Sequence, residues 1–178
     1  MKRLLWVLLV GIVVVGLLLP GCAGGGGGTG KIRVATDATW APFEYVDTQS
    51  GKIVGFDIDL FNAIATRANL TVEYENVGWD PLLAGIAQGT YDAAISSITI
   101  KPDRLEKMNF SHPYYVAGQI ITTLKSNTDI TGPETLAGKS VGVQTGTTGE
   151  DAAKSINGTN VVRYDEIPPA FVALLAGQ

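Results

Sequence analysis

The chain has 178 residues, 46% of them hydrophobic and 17% charged, which is ample apolar material for a folded core and argues against general disorder. With 17 acidic against 13 basic residues, the net charge of −4 argues against a nucleic-acid partner. One cysteine, Cys22, excludes an intramolecular disulfide and a thiol metal cluster, and the single histidine, His112, has no nucleophile or second histidine beside it.

The amino terminus reads as a targeting segment. Lys2 and Arg3 precede an apolar run from Leu4 to Leu19, and Leu19-Pro20-Gly21-Cys22 closes it with a small residue before the cysteine. Sixteen apolar residues fall short of the roughly 20 that span a bilayer. The pattern resembles a lipoprotein signal peptide over residues 1–21, with Cys22 as the lipidated end. Five glycines, Gly24 to Gly28, make residues 22–30 a flexible tether. Without Lys2 and Arg3, 11 basic residues remain against 17 acidic ones, a charge of −6.

From Lys31 the chain alternates strands with helices. Residues 31–36 form a first strand on Ile32 and Val34. Pro42 interrupts the chain beyond it, so Asp37 and Trp40 belong in a loop over the sheet edge, with Trp40 either a core aromatic or one wall of a pocket. Residues 43–46 and 52–54 flank Asp47-Thr48-Gln49-Ser50-Gly51 and suggest a hairpin. Asp57 is expected to cap a helix over 58–68 whose apolar face is Ile58, Phe61, Ile64, Ala65 and Ala68. A half-exposed strand comes next, over 70–75. Asp80 and Pro81 then open a helix that Gly89 stops, leaving Trp79 just beyond a strand end, again as pocket wall or core. Strand, helix, strand, helix, strand is the pattern of a parallel sheet with right-handed crossovers.

Residues 92–104 are the most informative stretch. Tyr91 and Ala93 to Ile95 read as a buried strand; Ser96, Ser97 and Thr99 then bring three hydroxyls to its carboxyl end. Lys101-Pro102-Asp103 opens a short helix carrying Arg104. Ligands bind outside the strand carboxyl ends of such sheets, where a guanidinium offers a fork of donors to a carboxylate and hydroxyls can accept from an ammonium.

Residues 118–125 carry a β-branched run and are expected to be a strand, where the chain crosses into a second unit. A short helix over 133–136, a strand over 140–143, a helix over 151–156, a strand over 161–164 and a helix over 165–176 complete the order. Between the first of these strands and its helix lies Gln144-Thr145-Gly146-Thr147-Thr148-Gly149-Glu150, a turn suited to an anion but lacking the Gly-Lys-Ser/Thr ending of a nucleotide loop.

These residues resemble the amino-acid-binding proteins of bacterial ATP-binding-cassette importers, in the branch for polar and basic amino acids. The likeness rests on Ala35-Thr36-Asp37-Ala38-Thr39-Trp40-Ala41-Pro42-Phe43-Glu44, Gly55-Phe56-Asp57-Ile58-Asp59-Leu60, the segment from Ser96 to Arg104, Phe110-Ser111, Pro113-Tyr114-Tyr115 and Val141-Gly142-Val143-Gln144-Thr145-Gly146-Thr147-Thr148. It implies an α/β, two-lobed, type II periplasmic-binding-protein-like fold. The first lobe covers residues 31–117 and the second, incomplete in this chain, 118–178. It also implies that Arg104 holds a ligand α-carboxylate with backbone N–H groups of Thr99 and Thr148. Ser96 and Ser97 form the pairing associated with binders of basic amino acids, and Ser97 and Thr99 accept from the ammonium. Trp40 and Trp79 stack along the side chain, Asp37 receives its polar end, and Gln144 and Thr145 complete the pocket. Partners implied are a free L-amino acid, a membrane permease and, through Cys22, a membrane facing the periplasm or cell exterior; the protein is expected to be a monomer without a cofactor. Two other readings stand beside this one: a cyclohexadienyl dehydratase-like enzyme using Glu44 or Asp37 as general acid, and the extracytoplasmic sensor of a signalling receptor.

Overall fold

A computed structural model describes residues 30–178. The expected signal peptide, the lipidated Cys22 and nearly all of the tether lie outside the described residues.

Strand β1 (Lys31–Thr36) is the centre of the first unit. It pairs in parallel with β5 (Thr71–Asn76), from Lys31 opposite Thr71 to Thr36 opposite Asn76, and on its other side with β6 (Ala93–Ala94). The order β5-β1-β6 puts β1 between two partners, which is why Val34, Ala35 and Thr36 are buried while the outer strand β5 stays half-exposed. Helix α1 (Phe56–Ala68) packs on β5, and α2 (Trp79–Ala87) packs on β1 and β6. A small antiparallel sheet, β2 (Thr39–Trp40), β3 (Glu44–Val46) and β4 (Ile53–Val54), contains the expected hairpin. Trp40 thus sits on a short strand rather than in an open loop. The one-turn helix α3 (Pro102–Leu105) carries Arg104, as expected.

The second unit is a parallel pair, β7 (Ser140–Gln144) and β8 (Asn160–Tyr164), with α4 (Thr148–Ser155) and α5 (Ile167–Leu175). Helix α5 lies close on β7 because Gly142 has no side chain; a Cβ there would stand 3.1 Å from that of Ala170.

Several expectations are corrected. Asp57 does not cap α1: the helix starts at Phe56, two residues before the expected 58, behind Gly55 with no side-chain cap, and the Asp57 carboxylate is committed elsewhere. Glycine is required at 55, where φ is +131° and a Cβ would lie 2.2 Å from the Phe43 carbonyl oxygen. Ile64 and Ala68 are exposed, so the face of α1 turned to the sheet is narrower than its periodicity suggests. Gly78, not Asp80, precedes α2, and Trp79 is its first residue. Helix α4 starts at Thr148, three residues before the expected 151, because the Thr147 hydroxyl accepts from the Glu150 N–H and caps it. Residues 118–125 are not a strand. Their β-branched composition supplies propensity, but no described strand pairs with them, and Ile120 is 87% exposed.

Candidate functional site

In a parallel sheet all carboxyl ends share one edge. Asp37 after β1, Trp79 after β5 and Ser96-Ser97 after β6 therefore meet on one side of the first unit, and Gln144-Thr145-Gly146 leaves the same edge of β7. The two edges face each other, with side chains bridging between them.

Gln144, almost wholly buried, is the central bridge. Its amide nitrogen donates to Asp37 Oδ2 at 2.7 Å and to the Asp165 carbonyl at 3.0 Å, while its amide oxygen accepts from Trp40 Nε1 at 2.8 Å. Donors on one side and an acceptor on the other fix the amide's orientation. A second bridge lies beside the first. Arg104 is 4% exposed; it donates to the Thr99 carbonyl at 3.0 Å and the Gly146 carbonyl at 3.2 Å, and its guanidinium lies 5.2 Å from the Trp79 ring centre. Trp79 Nε1 also donates to the Gly146 carbonyl, at 3.0 Å. Burial lowers the Arg104 pKa from its ordinary value. Nearer solvent, the Thr99 and Thr148 hydroxyls are 3.4 Å apart and Lys101 bridges to Asp151 at 3.0 Å.

The 144–150 turn is pinned from behind. Thr145 donates its hydroxyl to the Tyr164 carbonyl at 3.2 Å and so faces β8, and Gly146 N–H donates to Glu150 Oε2 at 2.7 Å. Lys154, at 2.6 Å, and Arg163 pair with the same carboxylate and, with that N–H, hold its pKa down at about 2. Gly146 has φ +72°, and a Cβ there would sit 2.7 Å from Asp80 Oδ1, so glycine allows the two units their close approach.

The two serines take different directions. Ser96 is buried: its hydroxyl accepts from Asp37 N–H and donates to Glu44 Oε1, both at 3.0 Å. Ser97, in the left-handed region at φ 48°, donates its N–H to Asp57 Oδ2 at 2.8 Å, with its hydroxyl 3.4 Å from both Glu44 Oε2 and Asp57 Oδ2. The side chains expected to bind ligand, from Asp37 and Trp40 to Thr145 and Thr148, therefore lie at or just behind this edge. Sequence reasoning missed Asp57 and Tyr114 as supports of Ser97, and Glu150 as the anchor of the turn. Asp57 could have been found from Gly55 before it, since a helix opened by glycine leaves the next acidic side chain free for other work. His112 is exposed. Among the described residues, no cluster of three or more His, Cys, Asp or Glu could hold a metal, and no helix is long and apolar enough to cross a membrane.

Residues 32–172 match the bacterial extracellular solute-binding proteins, family 3. A probable histidine-binding protein of Neisseria gonorrhoeae is 33% identical over 163 residues, covering 85% of this chain and 60% of that protein. Among solved structures, an ancestral arginine-binding protein bound to glutamine aligns with TM-score 0.80 and 40% identity over 83% of this chain and 66% of the other. The ancestral amino-acid-binding protein AncCDT-1, a precursor of cyclohexadienyl dehydratase, aligns with TM-score 0.79 and 37% identity over the same shares. The chain spans about 60% of the length of the curated relatives it matches. Its fold is the α/β, type II periplasmic-binding-protein-like fold. With that fold, this match and these relatives, the chain belongs to family 3 of the bacterial extracellular solute-binding proteins.

Proposed function

We propose that the protein captures a free polar or basic L-amino acid between its two lobes and delivers it to the permease of an ATP-binding-cassette importer. One observation carries the reading: Arg104, both tryptophans and the Asp37–Gln144 pair converge where the carboxyl edges of the two sheets meet. In this reading the Arg104 fork exchanges the Gly146 carbonyl for the ligand α-carboxylate, joined by backbone N–H groups of Thr99 and Thr148. Ser97 and Thr99 accept from the ammonium, with Ser96 behind them. Trp40 and Trp79 flank the side chain, while Asp37, released from Gln144, receives its polar end; Gln144 and Thr145 close the pocket from the second lobe. Because the ligand touches both lobes only when they are together, binding selects the closed state. Relatives named for histidine and arginine, and an ancestral arginine-binding protein holding glutamine, support a polar or basic ligand.

The enzyme reading has less support. Glu44, one of its two candidate general acids, is fully buried behind Ser96, and Asp37 is held by Gln144. AncCDT-1 is itself described as an amino-acid-binding protein. We further propose, on the sequence pattern, that the lobes divide near residues 117–118 and that a monomer is tethered through a lipid on Cys22; palmitate labelling lost in Cys22→Ser tests the anchor.

Tryptophan-fluorescence titration of the full chain with arginine, lysine, histidine, glutamine and glutamate tests the binding role. A saturable change confined to one ligand class is expected. Losing Arg104 leaves a buried carboxylate unpaired, so Arg104→Ala should weaken binding by about 2–5 kcal/mol. Near-wild-type affinity in that variant contradicts the assignment.

A further inference from the structure

Behind the serines lie two acids that the binding role does not use, Glu44 and Asp57. Glu44 and Asp57 are fully buried, and Asp37 is 1% exposed. The groups facing Glu44 are Ser96 and Ser97 after β6, Asp57 on α1, Asp37 after β1 and Tyr114 from the connector. None is a cation, so ionising both Glu44 and Asp57 would place like charges together in a medium that solvates neither.

The hydrogen bonds of the group are also one donor short. Asp57 Oδ2 accepts from Ser97 N–H at 2.8 Å and from the Tyr114 hydroxyl at 2.8 Å. Asp57 Oδ1 is buried without a hydrogen-bond partner. Glu44 Oε1 accepts from Ser96, but Glu44 Oε2 and Asp57 Oδ2 both look to the single Ser97 hydroxyl hydrogen, each at 3.4 Å. One additional proton on Glu44 supplies the missing donor and removes one of the two charges.

We propose that Glu44 is a neutral carboxylic acid in the folded protein and that, together with Asp57, it is the positioning device holding Ser96 and Ser97 at the amino-acid cleft. Ser97 sits at φ 48°, a conformation that costs a non-glycine residue, so its geometry needs external support. Asp57 supplies it through the Ser97 N–H, Tyr114 buttresses Asp57, and Glu44 ties Ser96 to the same group. Burial, with the Asp57 charge second, pushes the Glu44 pKa up to about 9 from 4.5. Between those values the folded protein binds one proton more than the unfolded chain, so stability falls as pH rises through that window.

The positioning consequence rests on the proposed amino-acid binding; the protonation state does not. Isotope-edited infrared spectra of the full chain with labelled glutamate should show a protonated-carboxyl stretch at pH 7 that disappears in Glu44→Gln. Urea-unfolding stability should decline from pH 5 to 9 in the wild type, with a clearly shallower decline in Glu44→Gln. Absence of the band in the wild type, or an unchanged pH slope in Glu44→Gln, overturns the proposal whether or not the protein binds amino acids. For the ligand the fluorescence panel identifies, Glu44→Ala should lose about tenfold in affinity and Glu44→Gln recover most of it. Equal affinities in Glu44→Ala and the wild type overturn the positioning role alone.

Discussion

Glu44 in the first lobe and Glu150 in the second are both buried, and the lobes treat them in opposite ways. Glu150 has Lys154 and Arg163 on its carboxylate and the Gly146 N–H besides, so it stays ionised with its pKa held at about 2. Glu44 has serine hydroxyls and two other acids around it, and burial drives its pKa to about 9. The first lobe thus supports its edge with a neutral hydrogen-bonded group, the second with an ion pair, and a side chain's charge is decided by its neighbours rather than by its type. The two halves of the site should therefore fail at opposite ends of the pH scale.

Removing the second-lobe anchor should have the largest effect on stability. Glu150→Ala strands the Gly146 N–H and Arg163 and is expected to cost about 2–3 kcal/mol in urea unfolding, the scale of charged hydrogen bonds. The pH signature is set by the depressed pKa: stability from Glu150 is complete above pH 4.5 and is lost as pH falls toward 2, the reverse of Glu44. Replacing Lys154 and Arg163 together by methionine should shrink that acid limb, leaving only the part that the Gly146 N–H supplies.

Smaller effects are expected where the lobes meet. Gly146→Ala places a side chain at φ +72° against Asp80 and should cost about 1–2 kcal/mol, read as weaker ligand affinity or a lower unfolding midpoint. Trp40→Phe keeps a ring but loses the Nε1 donor to Gln144; about 1 kcal/mol of stability should go with it, measured in the same unfolding experiment. Lys101→Ala removes a bridge whose Asp151 partner is more than half exposed, so the loss should stay below about 1 kcal/mol and vanish at high salt.

Much of this arrangement was legible in the sequence. Alternating periodicity located β1 and β5, the rule that ligands gather at strand carboxyl ends pointed to Ser97 and Arg104, and the family resemblance added the roles of Asp37 and Gln144. What escaped was long-range or lacked a residue signature. Asp57 in the first turn of an amphipathic segment reads as a cap, while its actual partners lie 40 and 57 residues away. The acceptor that joins Arg104 and Trp79 across the cleft is the backbone carbonyl of Gly146, which any residue possesses. Residues 118–125 show the limit from the other side, since strand composition becomes a strand only where a partner supplies the ladder.

A crystal structure of the full chain grown with saturating L-arginine would bear on the proposed site without intermediaries. It should show the ligand carboxylate on Arg104, the Arg104–Gly146 bond exchanged for it, and the ligand's cationic end at Asp37 in place of Gln144. Arginine bound elsewhere, or Arg104 still donating to Gly146 and Gln144 to Asp37 with ligand present, would contradict the proposed binding mode.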